Sequence, residues 1–344
     1  MATLRTISDE KLVDICRRFM DGDRFSKIAD DCNELWREQG SDFKITREQV
    51  YTALVVARRR GFFALLPPLN EVLGARLASK YEKRAANIKV VSVRDSLDHV
   101  TAASAKITMK LIEILSGVKD RVHVGIGSGA TSMLFIQHLT NQLRAEPRQL
   151  PLHLHAITSG FDIERPEMAA VSFFSYFESA GLSIRKTGLF APSFVAAREY
   201  KKMQQERVVK QAFAASNEID IVVTSMASST DPHGGLNRFL NASTGDGPRL
   251  EKNKEILGDV QYNPYTSRGS VMPPGGYRAV TLFDLPQLRE LAATEQKYVV
   301  LIAGPCGQCG KTRTKALRPL LENPALKVWS HLVTDVTTAE ELIA

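Results

Sequence analysis

Apolar positions change their period along the chain. Over roughly the first 60 residues they recur at helical spacing. Leu12, Ile15, Cys16 and Phe19 predict a helix over 9–22, with Ser8 placed to cap it. Phe25, Ile28, Ala29, Cys32, Leu35 and Trp36 predict a second over 24–39, stopped by Gly40-Ser41-Asp42. A third follows Ile45, with Thr46 as N-cap, Glu48 in its first turn and Val50, Leu54 and Ala57 as its buried stripe. Gly61 ends it, 62–66 can form a short strand, and Pro67-Pro68 closes the unit. Three short helices ending in a basic turn suit a helix-turn-helix module.

Beyond residue 69 come a linker helix, a short strand at 88–93 and a long helix over 102–115. After that, β-rich runs alternate with helical ones. Strands are predicted at 122–126, 152–158, 219–225, 277–282, 298–303 and 329–333, and helices at 132–143, 198–214, 285–292 and 312–321. Such alternation predicts an α/β fold with a mostly parallel, Rossmann-like sheet covered by helices on both faces. The stretch 232–276, rich in Gly, Asn, Ser and Pro, predicts long loops over the sheet edge. The expected division is 1–66 as the helical domain, 67–87 as linker and 88–344 as the α/β domain.

Composition narrows this picture modestly. The 344 residues are 44% hydrophobic and 24% charged, enough to bury a core. No apolar run approaches the roughly 18 residues that would suggest a membrane span. The N-terminus lacks the apolar core of a signal peptide, and four cysteines make no disulfide framework, so a cytoplasmic chain with reduced thiols is expected. The formal charge is +7, which is compatible with an anionic partner. The first 66 residues nevertheless carry 12 basic and 11 acidic side chains, so DNA contact must rest on pattern rather than bulk charge. At the start of the third helix Thr46, Arg47, Gln49 and Tyr51 would meet base edges or phosphates, and Arg58, Arg59 and Arg60 the backbone. The alternative is a small dimerisation unit with a solvated basic turn.

The strongest local motif is V-H-V-G-I-G-S-G-A-T-S at 122–132. A strand feeds a glycine-rich turn that opens at once into a helix. Glycines admit a ligand close to the backbone, and the free N–H groups at a helix start suit an anion. Ser128, Thr131 and Ser132 add hydroxyl donors; the plainer reading is a turn that serves packing alone. A dinucleotide site is disfavoured because the next strand ends in Ser159-Gly160 rather than an acid. No Lys-Ser or Lys-Thr follows to make a P-loop.

Two further strand ends point the same way. One is I-D-I-V-V-T-S-M-A-S-S at 219–229, which places Ser228 and Ser229 beyond a carboxyl end. The other is I-A-G-P-C-G-Q-C-G-K-T-R at 302–313, where Lys311 and Arg313 could neutralise a phosphate. Cys306 and Cys309 form one C-x-x-C pair, too few for a four-ligand zinc site, and read as turn cysteines. His153 and His155 alternate in a strand and would face one side, a pattern more typical of packed or hydrogen-bonded histidines. Asp259 is the acid expected near the pocket. No catalytic constellation stands out.

In their order and spacing these motifs resemble the SorC family of bacterial transcriptional regulators. The resemblance is carried by A-R-R-R-G-F-F (57–63), P-P-L-N-E-V-L-G-A-R-L (67–77), V-G-I-G-S-G-A-T-S (124–132), L-F-A-P-S-F (189–194), G-D-V-Q-Y-N-P-Y-T-S-R-G (258–269), L-I-A-G (301–304) and L-V-T-D-V-T-T-A-E-E-L-I (332–343). It implies a sheet of the phosphosugar-isomerase type and a homo-oligomer, dimer or tetramer, that binds a double-stranded DNA operator and a phosphorylated sugar effector. It implies no cofactor, no metal and no enzymatic activity. The expected effector set is Gly127, Ser128, Gly129, Ala130, Thr131, Ser132, Ser228, Asp259 and Lys311. Three places depart from the family pattern. Ser128 stands where relatives carry tryptophan, extra residues at 38–44 precede the third helix, and Pro305–Gly310 interrupts the segment before Lys311, so that Arg313 or Lys315 could take its role. Two other readings remain open: an isomerase-like enzyme using Asp259, His233 and Lys311, and a carbohydrate-binding module that has lost DNA recognition.

Overall fold

The computed structural model describes residues 7–60, 62, 67–145, 150–160, 165–244 and 255–344. Contacts divide the chain into two units, Met1–Leu65 with Thr140–Pro147, and Leu66–Leu139 with Arg148–Ala344.

The first unit contains the three expected helices, α1 (Asp9–Met20), α2 (Phe25–Glu38) and α3 (Arg47–Arg59). Ser8 caps α1, and Thr46 with Gln49 forms a capping box on α3. Their apolar stripes converge on Trp36, Leu12, Ile15, Ile28 and Val50. The Trp36 indole N–H donates to Asp14 at 3.0 Å, so the buried polar edge of the ring is satisfied. The long turn before α3 is pinned by Asn33, whose amide donates to Ile45 O at 2.9 Å and accepts from Ile45 N–H at 2.8 Å. Of the expected strand at 62–66 and the stop at Gly61, only Phe62 lies within the described residues.

The second unit opens with α4 (Glu71–Lys80), β1 (Ile88–Val91), α5 (Leu97–Ser116), β2 (Val122–Ile126), the first part of α6 (Ala130–Ala145), which from Thr140 onward belongs to the first unit, and β3 (Leu152–Ala156). It continues through α7 (Phe174–Ser179), β4 (Arg185–Thr187), β5 (Phe194–Ala196), α8 (Tyr200–Gln205), α9 (Arg207–Ala215), β6 (Ile221–Ser228) and α10 (Gly235–Thr244). It closes with β7 (Gly258–Val260), β8 (Asn263–Thr266), β9 (Gly269–Ser270), β10 (Tyr277–Ala279), α11 (Leu285–Ala293), β11 (Tyr298–Ala303), α12 (Thr314–Glu322), β12 (His331–Asp335) and α13 (Val336–Ile343).

The expected mostly parallel sheet is present. Its strands run in the order β1-β12-β11-β6-β2-β3-β4, each parallel to its neighbours. Val299, Leu301 and Ala303 of β11 join a core with Leu285, Leu288, Leu317 and Leu320 of α11 and α12. The alternate residues Val300 and Ile302 are equally buried on the opposite face. Burial on both faces explains why these strands read as unbroken apolar runs. The strand order reverses around β2 and β6, and a crevice opens beyond their carboxyl ends.

Several details depart from expectation. Helix α5 starts at Leu97 rather than 102, capped by Ser96. Its buried Thr101, Ser104 and Thr108 return their hydroxyls to carbonyls one turn back, which hides polar residues inside a helix. The helix at 198–214 breaks at Glu206, whose ψ of 132° separates α8 from α9. The strand expected at 277–282 is not part of the large sheet; among the described residues β10 (Tyr277–Ala279) pairs with β5 alone. Within the stretch 232–276 the described residues carry α10 and the antiparallel strands β7–β9, built onto the last residues of β6, where only loops were expected; 245–254 lie outside the described residues.

Candidate functional site

The turn after β2 holds the site together before any ligand is considered. Gly129 has φ +110°, a backbone open to glycine and costly for other residues. Its N–H donates to Met168 O at 2.9 Å, and Gly127 N–H to Val223 O at 3.2 Å. Ser128 N–H donates to Thr158 Oγ1 at 2.8 Å. The Ser128 hydroxyl lies 2.6 Å from Thr158 Oγ1 and accepts from Ala170 N–H at 3.1 Å. Ser128 is therefore a fastener between this turn and its neighbours, and its side chain is already engaged. The N–H groups of Ala130, Thr131 and Ser132 have no acceptor among the described residues. They form the positive start of α6.

A second helix start faces the same crevice. Gly234 N–H closes a turn onto Asp231 O at 3.0 Å, and α10 begins at Gly235. A β-carbon at Gly235 would meet the Tyr262 ring at 2.5 Å, so glycine is needed for the ring to sit there. Tyr262 and Gln261 form the two-residue turn of the β7–β8 hairpin, with φ of +64° and +51°. Turns of this kind favour Asn-Gly because both residues are left-handed. Here two larger side chains occupy them, and such strain is concentrated at functional sites. Both amide atoms of the buried Gln261 side chain lack partners among the described residues.

Charge enters through Arg313 and Asp259. Arg313 is buried, donates to Met226 O at 2.9 Å and pairs with Asp231 at 3.1 Å, leaving its Nε without a partner among the described residues. Asp231 also accepts from His233 N–H at 2.9 Å. Asp259 accepts from Tyr262 N–H at 3.1 Å, while its other oxygen is buried and unpartnered. Burial pushes its carboxyl up to about 7, against the opposing pull of that N–H and of Arg313. Near neutral pH it can therefore either donate or accept a hydrogen bond. The Cys306 thiol is pushed up by burial and approaches Asp231 at 3.5 Å, which describes a protonated structural thiol.

The turn after β2, Gln261, Tyr262, Asp259 and Arg313 line a cavity of about 110 Å³. It shares Ser128, Gly129, Ala130, His233, Gly235, Tyr262 and Gln308 with a wider outer compartment of about 440 Å³. The outer wall includes Arg165, Met168 and Phe190. The deep part offers anion-binding N–H groups and a guanidinium; the outer part has the size range of a small-molecule pocket.

Of the residues expected from sequence, Gly127, Ser128, Gly129, Ala130, Thr131 and Asp259 line the deep cavity. Ser132 is buried behind it and donates to Ser128 O at 3.4 Å. Ser228 lies outside the lining and turns toward Thr230. Lys311 and Lys315 are exposed and do not line the cavity, whereas Arg313 does. Gln261, Tyr262, Thr158 and Arg165 were not anticipated; reading 232–276 as loop concealed the first two. In the first unit Arg47, Tyr51 and Arg58 are exposed on one face of α3. Gln49 instead uses its amide on Thr46 N–H at 2.8 Å. The side chain of Arg59 lies outside the described ones.

No protein-family model and no curated protein matches the chain. Solved structures do. The full-length sorbitol operon regulator SorC from Klebsiella pneumoniae is 16% identical, with a TM-score of 0.64 over 98% of this chain and 100% of that one. A DeoR family transcriptional regulator from Listeria monocytogenes is 16% identical, with a TM-score of 0.58 over 79% and 98%. A domain of a possible sugar-binding transcriptional regulator from Arthrobacter aurescens TC1 is 17% identical, with a TM-score of 0.55 over 79% and 96%. At these identities the likeness establishes a shared fold.

Proposed function

We propose that the chain is a ligand-responsive, DNA-binding transcriptional regulator of the SorC type. In this reading 1–66 bind operator DNA, 67–87 link, and 88–344 bind a phosphorylated sugar. The carrying observation is the deep cavity at the strand-order reversal, whose lining includes both Ala130 and Thr131, with their free N–H groups, and the buried Arg313. A phosphate fits the deep part by charge, and sugar hydroxyls suit Gln261 and Asp259. Support for the DNA half comes from the exposed Arg47, Tyr51 and Arg58 and from the fold shared with SorC over 98% of the chain. The protein is expected to work as a dimer or tetramer without a cofactor. No helix among the described residues is long and apolar enough to cross a membrane.

One observation favours an enzyme instead: a carboxyl with its pKa pushed up to about 7 lines the same cavity as His233. A panel of sugar phosphates separates the two readings. A regulator is stabilised by one compound in a thermal-shift assay, leaves it unchanged, and alters its own mobility-shift pattern on upstream DNA. Turnover of that compound would establish the enzyme and overturn the regulator.

A further inference from the structure

A second cluster lies away from the effector cavity, toward the amino-terminal half of β2 and β3. His123 on β2 is directly opposite His153 on β3, and His155 follows two residues later on the same face. One ring nitrogen from each of the three lies within 4.8 Å of the others. His123 Nδ1 and His155 Nε2 are 3.0 Å apart, close to the roughly 3.3 Å spacing that two nitrogens adopt on a tetrahedral zinc ion with 2.0–2.1 Å bonds. Glu218 brings Oε2 to 3.3 Å from His123 Nδ1. We propose that His123, His153 and His155, with Glu218, form a site for one divalent transition-metal ion of the zinc class.

Two observations favour a ligand over a packed stack. An open cleft of about 510 Å³, lined by His123, Glu218 and residues 118–121, leads to the cluster from solvent. His153 Nε2 lies 2.8 Å from Thr187 Oγ1 on β4, the kind of outer partner that fixes ring orientation in metal sites. Nearby cations are largely engaged: Asp220 holds Lys119 at 2.5 Å and Lys297 at 3.2 Å, while also accepting from His123 N–H at 3.0 Å. Arg121 and Arg185 also bear on the rings, and Glu218 and Asp220 oppose them. Nitrogen-rich sets with a carboxylate suit Zn²⁺, Co²⁺ or Ni²⁺.

The test uses the untagged full chain stripped with chelator and titrated with Zn²⁺ and with Co²⁺. Expected are one ion per chain and a cobalt spectrum of four-coordinate nitrogen–oxygen type without a thiolate charge-transfer band. That last feature separates the site from Asp231, Cys306 and Cys309, whose ligand atoms also lie within 4.8 Å of one another. His123→Ala and, on the exposed carboxylate, Glu218→Ala test the assignment, with His153→Gln as a further variant should His123→Ala fold poorly. Loss of a direct histidine ligand should weaken binding more than about 100-fold, beyond the range seen for outer partners. Absence of binding at micromolar metal, a thiolate band, or unchanged affinity in folded His123→Ala or His153→Gln would overturn the site.

Discussion

Arg313→Gln breaks a buried ion pair from one side. Arg313 and Asp231 are 9% and 6% exposed, so the carboxylate left behind stays out of water with one backbone N–H and one thiol as donors. Removing one partner of such a pair costs about 3–5 kcal/mol. For a unit of this size, about 2–4 °C of melting temperature per kcal/mol gives a drop of roughly 6–20 °C. Arg313→Gln combined with Asp231→Asn removes both charges and should regain most of that loss. It should not regain phosphate binding. A hydrogen bond to a charged group contributes about 1.5–3 kcal/mol, so affinity should fall roughly 10- to 150-fold. Calorimetric titration with the best sugar phosphate measures this on the double variant, where folding is not in question. Lys311→Ala is the control, because that side chain is exposed outside the cavity, and its affinity should stay within about two-fold of the parent. Full affinity in the double variant, or a large loss in Lys311→Ala, would refute the assignment of Arg313 as the cation of the site.

Three other outcomes follow from the geometry. Gly129→Ala meets no neighbouring atom within 4 Å, so its cost is conformational alone and should be about 1–3 kcal/mol in urea unfolding. Asp259 has a folded-state pKa raised from 3.8 to about 7, so its contribution to the stability of the ligand-free protein is intact below about pH 4 and is lost as pH rises to about 7. The loss is on the order of 4 kcal/mol, and Asp259→Asn should flatten that part of a stability–pH profile. Arg58→Ala on the exposed face of α3 should leave the melting temperature unchanged and reduce the log–log salt slope of DNA binding by about 0.9; an unchanged slope would remove Arg58 from the interface.

Much of the fold was legible because periodicity reports burial. The strand Tyr298–Ala303 is fully apolar on both faces and was placed to the residue, as was Val122–Ile126. The missed elements are those whose signal is short or mixed. Strands β4, β5 and β7 have three residues each, too few to show a period, and β7 and β8 contain Gly and Pro that read as loop. The glycine-rich turn was visible as a helix opening, but the engagement of Ser128 with Thr158, 30 residues away, was not. Lys311 and Arg313 were equivalent in sequence as cations after a strand. Only the path of the loop, with Cys306 N–H bonded to Lys311 O at 2.9 Å, turns one outward and the other inward. The histidines at 153 and 155 were read correctly as sharing a face, while their meeting with His123 depended on strand order.

Under the proposed function, ligand in the cavity at 127–131 controls DNA binding by the helical unit. The most direct measurement is fluorescence anisotropy of DNA from upstream of the protein's own gene, titrated at fixed salt with and without the sugar phosphate that most raises the melting temperature. Coupling free energies of 1–3 kcal/mol are typical between linked sites, so the ligand should shift the DNA affinity by about 5- to 150-fold, and the shift should vanish in the Arg313→Gln/Asp231→Asn variant. A folded, ligand-binding protein whose DNA affinity is the same with and without the compound would contradict the account.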